Sequence, residues 1–151
     1  MHSVAIDTEF GRWGVEEENG AIVRVNWRGV DAGPLTPLLM EARAQLTAYA
    51  AGKLTSFDLP LAPAGGELQQ AVMAEMLAIP FGETRTYGEI AKALGTAAQP
   101  IGQACGANPI PVIIPCHRVT GTGGLGGFSG CGGVETKVAL LKHEGAFSLL
   151  L

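Results

Sequence analysis

Charge is scarce in this chain: Asp, Glu, Lys and Arg together make up 16% of its 151 residues, ten basic against fourteen acidic. Residues 1–66 hold five Lys/Arg against eight Asp/Glu, and residues 67–151 hold five against six. Neither half has the basic excess of a protein whose affinity rests on neutralising phosphates, so any nucleic-acid binding is expected to be modest and only shallowly salt-dependent. Cysteine is equally sparse. Three of them, Cys105, Cys116 and Cys131, are an odd number in a chain long enough to bury a core, which argues against a secreted disulfide framework and leaves at least one thiol unpaired. Their spacing, with His2 included, is not that of a zinc site, and neither metal nor cofactor is expected. No apolar run reaches the roughly 18 to 20 residues of a membrane helix, because Gly, Pro or a charge interrupts each candidate. The opening MHSVAIDTEF has no basic-then-apolar leader, so the expectation is a soluble, cytoplasmic protein without a membrane partner.

What the chain has instead is 47% hydrophobic residues, 22 glycines and nine prolines, and these punctuate it clearly. Short apolar stretches at Val4–Ile6, Trp13–Val15 and Ile22–Trp27 read as strands, with Asn19-Gly20 as a hairpin turn between the last two. Thr36-Pro37 is an N-cap with proline at the first helical position, and Leu38, Leu39, Ala42, Leu46 and Tyr49 follow at helical spacing to Gly52. The Pro- and Gly-rich segment 57–66 then marks a boundary. The expected organisation is an N-terminal strand-and-helix domain over 1–62, a linker over 63–66 and a second domain over 67–151. Overall the fold class is α/β (α+β).

The second domain reads as mainly helical. A helix from Glu67 to about Ile79 carries Leu68, Val72, Met76 and Ile79 on one face and stops at Pro80. Thr86-Tyr87-Gly88-Glu89 is a capping box that opens a helix over Tyr87–Leu94, closed by Gly95. A further short helix runs from about Pro100 to Cys105. Two short helices joined by a tight Gly-containing turn have the outline of a helix-turn-helix, an outline common in cores that never meet DNA. Asn108-Pro109-Ile110-Pro111-Val112-Ile113-Ile114-Pro115 is apolar and proline-stiffened, and is expected to be a rigid, buried, extended arm. It delivers Cys116-His117-Arg118-Val119, after which eight glycines lie between Gly121 and Gly133. The last helix, Val134–Glu144, is expected to turn Val138, Leu140 and Leu141 inward, with Lys137 and Lys142 outward.

A thiol is a nucleophile only as thiolate, and a neighbouring histidine or cationic surroundings lower its pKa from about 8.5 into the range of roughly 3.5 to 7.5. Cys116 at the end of a stiff arm, followed directly by His117 and Arg118, fits that need better than it fits a buried structural thiol.

The run Asn108 to Val119 resembles the active-site signature of the O6-alkylguanine-DNA alkyltransferases. Supporting matches are Phe81-Gly82, Thr86 to Ala91, Gly127-Phe128-Ser129-Gly130 and Leu140 to Gly145, so the resemblance covers about Glu67 to Gly145. It implies a helix-turn-helix of winged-helix type and a monomeric repair protein. Such a protein extrudes O6-alkylguanine from DNA, with O4-alkylthymine as a second lesion, and takes the alkyl group irreversibly onto its own cysteine. Carried over by position, Cys116 is the acceptor, His117 the base acting through a water, Glu144 the carboxylate that orients His117, and Tyr87 the donor to guanine N3. The carbonyls of Cys116 and Val119 receive the exocyclic amine, Ser129 contacts the O6 side, and Asn108 braces the turn before the cysteine arm. Phe128 stands where tyrosine is also common, and Arg118 falls among the substrate- or DNA-side residues. The family's arginine that fills the space of the extruded base falls here on Gln99, and no arginine occurs from Thr86 to Ile114. Two other readings therefore remain open: a divergent member acting on single strands or a non-duplex alkylated substrate, and a non-catalytic damage-binding protein. Cys105 and Cys131 are read as structural, although oxidation would let Cys131 react with an unalkylated Cys116.

Overall fold

The computed structural model describes residues 2–121 and 133–146, and the chain divides into two compact units, Met1–Ala64 and Gly65–Leu151.

In the first unit, β1 (His2–Thr8), β2 (Gly11–Glu18) and β3 (Ala21–Asn26) form an antiparallel sheet in sequence order. The Asn19-Gly20 turn takes φ of 51° and 79°, the doubly left-handed geometry whose twist suits a two-residue hairpin. Register pairs Val4 with Val15, Ile6 with Trp13 and Val15 with Val25, so the large apolar side chains stack across strands on one buried face. Helix α1 (Pro37–Ala50) packs on β1 and β2, with Thr36 capping it by accepting from the Leu39 amide, and buries Leu39, Ala42, Leu46 and Tyr49. The proline-rich stretch joins the sheet as the first unit ends. The Ile22 amide donates to the Pro60 carbonyl and the Ala62 amide to the Ile22 carbonyl, which ties 60–62 to β3.

The second unit begins with α2 (Glu67–Leu77), which buries Val72, Met73 and Met76. Leu68, expected on the same face, is exposed, because the buried stripe is centred one residue further round. Then follow β4 (Arg85–Thr86), α3 (Tyr87–Leu94) and α4 (Ala98–Gly106). The capping box closes in both directions: Thr86 Oγ1 accepts from the Glu89 amide and the Glu89 carboxylate accepts from the Thr86 amide. Gly95 ends α3 at φ 69°, ψ 34°, a left-handed C-cap that glycine adopts without a Cβ penalty. Helices α3 and α4 pack on each other and both pack on α2, completing the helix-turn-helix.

The arm that follows is buried at Ile110, Val112, Ile113 and Ile114, as its composition demands, but it is coiled rather than extended. The Ile113 amide donates to the Pro111 carbonyl around Val112 at φ 71°, and the Cys116 amide donates to the Ile114 carbonyl around Pro115 at φ −82°, ψ 70°. These are two γ-turns, the first in a region that a β-branched residue adopts only under strain. A single 3-10 turn, Cys116–Arg118, leads to β5 (Val119–Thr120), which pairs in parallel with β4. Helix α5 (Val134–His143) packs on that turn.

Candidate active site

Asn108 follows α4 directly and satisfies both ends of the arm. Its side-chain amide donates to the Ile114 carbonyl at 2.8 Å, while its oxygen accepts from the Ile110 amide at 3.0 Å. One side chain thus closes the arm with two hydrogen bonds. It folds the arm back so that Cys116 is delivered into the interior, where Cys116 and His117 have no solvent exposure at all. Cys116 is disulfide-bonded, and Cys105 is a free, buried thiol.

His117 Nε2 lies 2.7 Å from Glu144 Oε2. That contact places the ring proton on Nε2 and leaves Nδ1 as the acceptor atom, which is buried and makes no hydrogen bond to a described residue. Burial holds His117 below the ordinary imidazole pKa, Glu144 works against that effect, and the charges of Arg118 and Lys137 reinforce it. The resting ring is neutral. Burial alone would raise Glu144, but hydrogen bonds from His117 and Arg118 outweigh it and hold the carboxyl down to about 2.

Arg118 corrects the sequence expectation. It points inward, with Nε donating to Glu144 Oε1 at 2.8 Å, Nη2 to Oε2 at 3.1 Å and Nη1 to the Ile79 carbonyl at 2.7 Å. The guanidinium carbon also lies 5.8 Å from the centre of the Phe81 ring. A side chain so engaged, and only 6% exposed, is not placed to read DNA or substrate.

Lys137 is the second correction and the residue that sequence reasoning missed. It is wholly buried, its ammonium donating to the Val119 carbonyl at 2.6 Å and lying 3.5 Å from the Tyr87 hydroxyl. Positions 137, 140, 141 and 144 follow helical spacing, so α5 carries Lys137 on the same stripe as Leu140, Leu141 and Glu144. The signal was present in the periodicity, and the habit of placing lysine at the surface obscured it. Desolvation lowers Lys137 to about 8. Tyr87, at the N-terminus of α3, is half-buried, and burial followed by the charge of Cys105 pushes its phenol up to about 12. The hydroxyl therefore stays protonated and available as a donor.

The carbonyls expected to receive the exocyclic amine are both already acceptors, that of Cys116 from the Val119 amide and that of Val119 from Lys137. Each retains a second lone pair. Gln99 is exposed on α4, where Gln99, Gly102, Gln103, Gly106 and Ala107 line an open hollow of about 590 Å³. A Cβ added at Gly102 or Gly106 would meet none of the described residues within 4 Å, so packing against them does not call for glycine at either position. Phe128, Ser129 and Cys131 lie outside the described residues. Among the described residues no group of three His, Cys, Asp or Glu side chains is arranged to hold a metal, and no helix is long and apolar enough to cross a membrane.

A buried cysteine followed by a neutral histidine, itself backed by an ionised carboxylate, is the equipment of a protein that works by a cysteine nucleophile. The comparisons agree with that class and narrow it. Residues 67–146 match the family described as 6-O-methylguanine DNA methyltransferase, DNA binding domain. The chain is 51% identical to the methylated-DNA–protein-cysteine methyltransferase of Methanosarcina acetivorans over 109 residues, covering 70% of this chain and 69% of that protein. To its counterpart in Mycobacterium leprae it is 46% identical over 134 residues, covering 85% and 77%. The crystal structure of the Mycobacterium tuberculosis O6-methylguanine methyltransferase superposes with a TM-score of 0.85 at 37% identity, covering 97% of this chain and 93% of that one. A crystal structure of the same organism's OGT in complex with DNA gives 0.86 at 38%, covering 97% and 94%. The chain belongs to the 6-O-methylguanine DNA methyltransferase family.

Proposed function

We propose that this protein repairs DNA by moving the alkyl group of O6-alkylguanine irreversibly onto Cys116, one turnover per molecule, after the damaged base is extruded. O4-alkylthymine is the second lesion within reach of the same chemistry. The observation that carries the reading is the pair of assignments on one ring: His117 Nε2 is committed to Glu144, and the buried Nδ1 is left to accept a proton. With Cys116 reduced, its S–H proton passes through a water to Nδ1, and the thiolate attacks the alkyl carbon. The S–C bond forms as the O6–C bond breaks, the bonding pair leaves on guanine, and Tyr87 protonates N3. General-base assistance of this kind is worth about 10² to 10⁴ in rate.

The test is mass spectrometry of the reduced protein after incubation with an O6-methylguanine oligonucleotide, as duplex and as single strand. One added methyl on the Cys116 peptide, with no second turnover, is the expected result. No transfer from either form, with thiol reactivity intact, overturns the reading.

The neutral face of α4 favours one refinement, a preference for single-stranded or poorly paired substrate. Extrusion costs a few kcal/mol and least where pairing is already weak. Gln99 is uncharged, and Lys92 is the only cationic residue from Thr86 to Ile114. Gln99→Arg is expected to raise the rate on duplex more than on single strand, and to steepen the salt dependence by about one phosphate contact. Equal rates for the two proteins on duplex would show that Gln99 already supports extrusion there.

A further inference from the structure

One carboxylate in this site serves two partners. Glu144 Oε2 receives both His117 Nε2 at 2.7 Å and Arg118 Nη2 at 3.1 Å, while Oε1 receives Arg118 Nε at 2.8 Å. The third arm of the guanidinium reaches the Ile79 carbonyl just beyond the C-terminus of α2, so Arg118 joins the cysteine turn, α2 and the end of α5. A planar fork is the one side chain that fixes a carboxylate's rotation as well as its distance.

We propose that Arg118 is a positioning residue for alkyl transfer: by holding both oxygens of Glu144 it fixes the plane in which His117 is aimed and keeps the carboxylate from becoming the proton's destination. The inference rests on the alkyltransferase reading. The permanent positive charge of Arg118 beside Glu144 leaves less negative charge to stabilise an imidazolium, so His117 waits as the neutral base. In the transfer step the proton leaves Cys116 Sγ and stops at His117 Nδ1, and Glu144 stays ionised throughout. Among the described residues the charged groups that face the ring are Glu144 and Lys137 from α5 and its C-cap, and Arg118 from the ring's own turn. Of these, Arg118 and Lys137 both disfavour the protonated ring, and Arg118 alone touches Glu144 with a fork.

Two variants separate positioning from charge. Arg118→Gln removes the charge, and Arg118→Lys keeps it while losing the fork. The readouts are the single-turnover rate of methyl transfer against pH, with the protein reduced, and the titration of the His117 imidazole by nuclear magnetic resonance, which needs no DNA. In Arg118→Gln the His117 titration moves to higher pH, and the acid limb of the rate profile moves with it. In Arg118→Lys both midpoints stay with the wild type and the plateau rate falls about tenfold or more. A glutamine variant that titrates like the wild type, or a lysine variant with the wild-type plateau, overturns the proposal. If the glutamine variant does not fold, the lysine variant decides alone. A purely structural role would lower the stability of both variants and move neither profile. Should the wild type transfer nothing while Arg118→Gln still shifts the His117 titration, the alkyltransferase reading falls and the electrostatic hold of Arg118 on His117 stands.

Discussion

A Glu144→Gln protein is expected to alkylate Cys116 about 10² to 10³-fold more slowly than the wild type at neutral pH, against a Cys116→Ala control that takes up nothing. The amide is close in size and shape, so the change falls on charge. His117 loses the carboxylate that orients it and that stabilises the imidazolium formed when Cys116 gives up its proton, and Arg118 is left buried beside a neutral group. Breaking a buried pair by removing one partner costs about 3 to 5 kcal/mol, so the variant should also unfold at lower denaturant. The two effects are told apart by measuring transfer well below the unfolding midpoint. A wild-type rate there would remove Glu144 from the reaction.

The same carboxylate sets the behaviour in acid. Glu144 has a folded pKa of about 2 against 4.5 for the ordinary group, so its contribution to stability is complete above 4.5 and is lost as pH falls through that window toward 2. A shift of that size corresponds to about 3 kcal/mol. His117 adds to the trend in the same direction. Its folded pKa lies below the unfolded value, so the unfolded chain takes up the proton first and stability begins to fall as pH drops below 6.5. Denaturant titrations from neutral pH downward should therefore show stability declining in two stages, and Glu144→Gln should flatten the lower one. An unchanged lower stage in the variant would mean that the carboxylate is not held by this pair.

The second large effect is expected at Asn108. Asn108→Ala removes both hydrogen bonds that close the arm; in a buried segment it leaves the Ile110 amide without its partner and the Ile114 carbonyl with the Cys116 amide in place of two donors. The orphaned amide costs about 1 to 3 kcal/mol and the second lost bond about 1 more, so the thermal midpoint should fall by roughly 10 °C. Asn108→Asp is informative beside it, because the carboxylate can still accept from Ile110 but meets the Ile114 carbonyl with no proton to donate. It should be no more stable than the alanine variant. An alanine variant as stable as the wild type would show that the arm holds its shape by proline and packing alone.

How far each of these features could be read beforehand depends on the range of the interaction that makes it. The Thr86 capping box, the Gly95 C-cap and the Asn19-Gly20 turn are written within four residues, and each appears where the sequence places it. Asn108 is also local, since its partners lie two and six residues ahead. The prolines of the arm announce burial and exclude helix and central strand, but proline fixes its own φ and leaves its neighbours' ψ to tertiary packing, so the γ-turns around Val112 and Pro115 were not legible. Arg118 was misread because its partners, Glu144 and Ile79, are 26 and 39 residues away and nothing nearby in sequence points to them. Strands β4 and β5 are two residues each and too short to leave a period-two pattern. The cysteine, the histidine and the carboxylate behind it were legible through the family resemblance, while the guanidinium that shares the carboxylate and the ammonium beside Tyr87 needed the fold.

That two-rung ladder also acts as a gauge. Arg85 pairs with Val119 and Thr86 with Thr120, and Thr86 is at once the last rung and the N-cap of α3. Tyr87 is therefore one step past the ladder on one strand, and Cys116 three steps before it on the other. The phenol proposed to donate and the thiol proposed to accept are thus tied to one register, Tyr87 directly after one rung and Cys116 a single 3-10 turn before the other. A single residue inserted between Cys116 and Val119 would slip that register and carry the thiol away from the phenol, even with every side chain of the site intact.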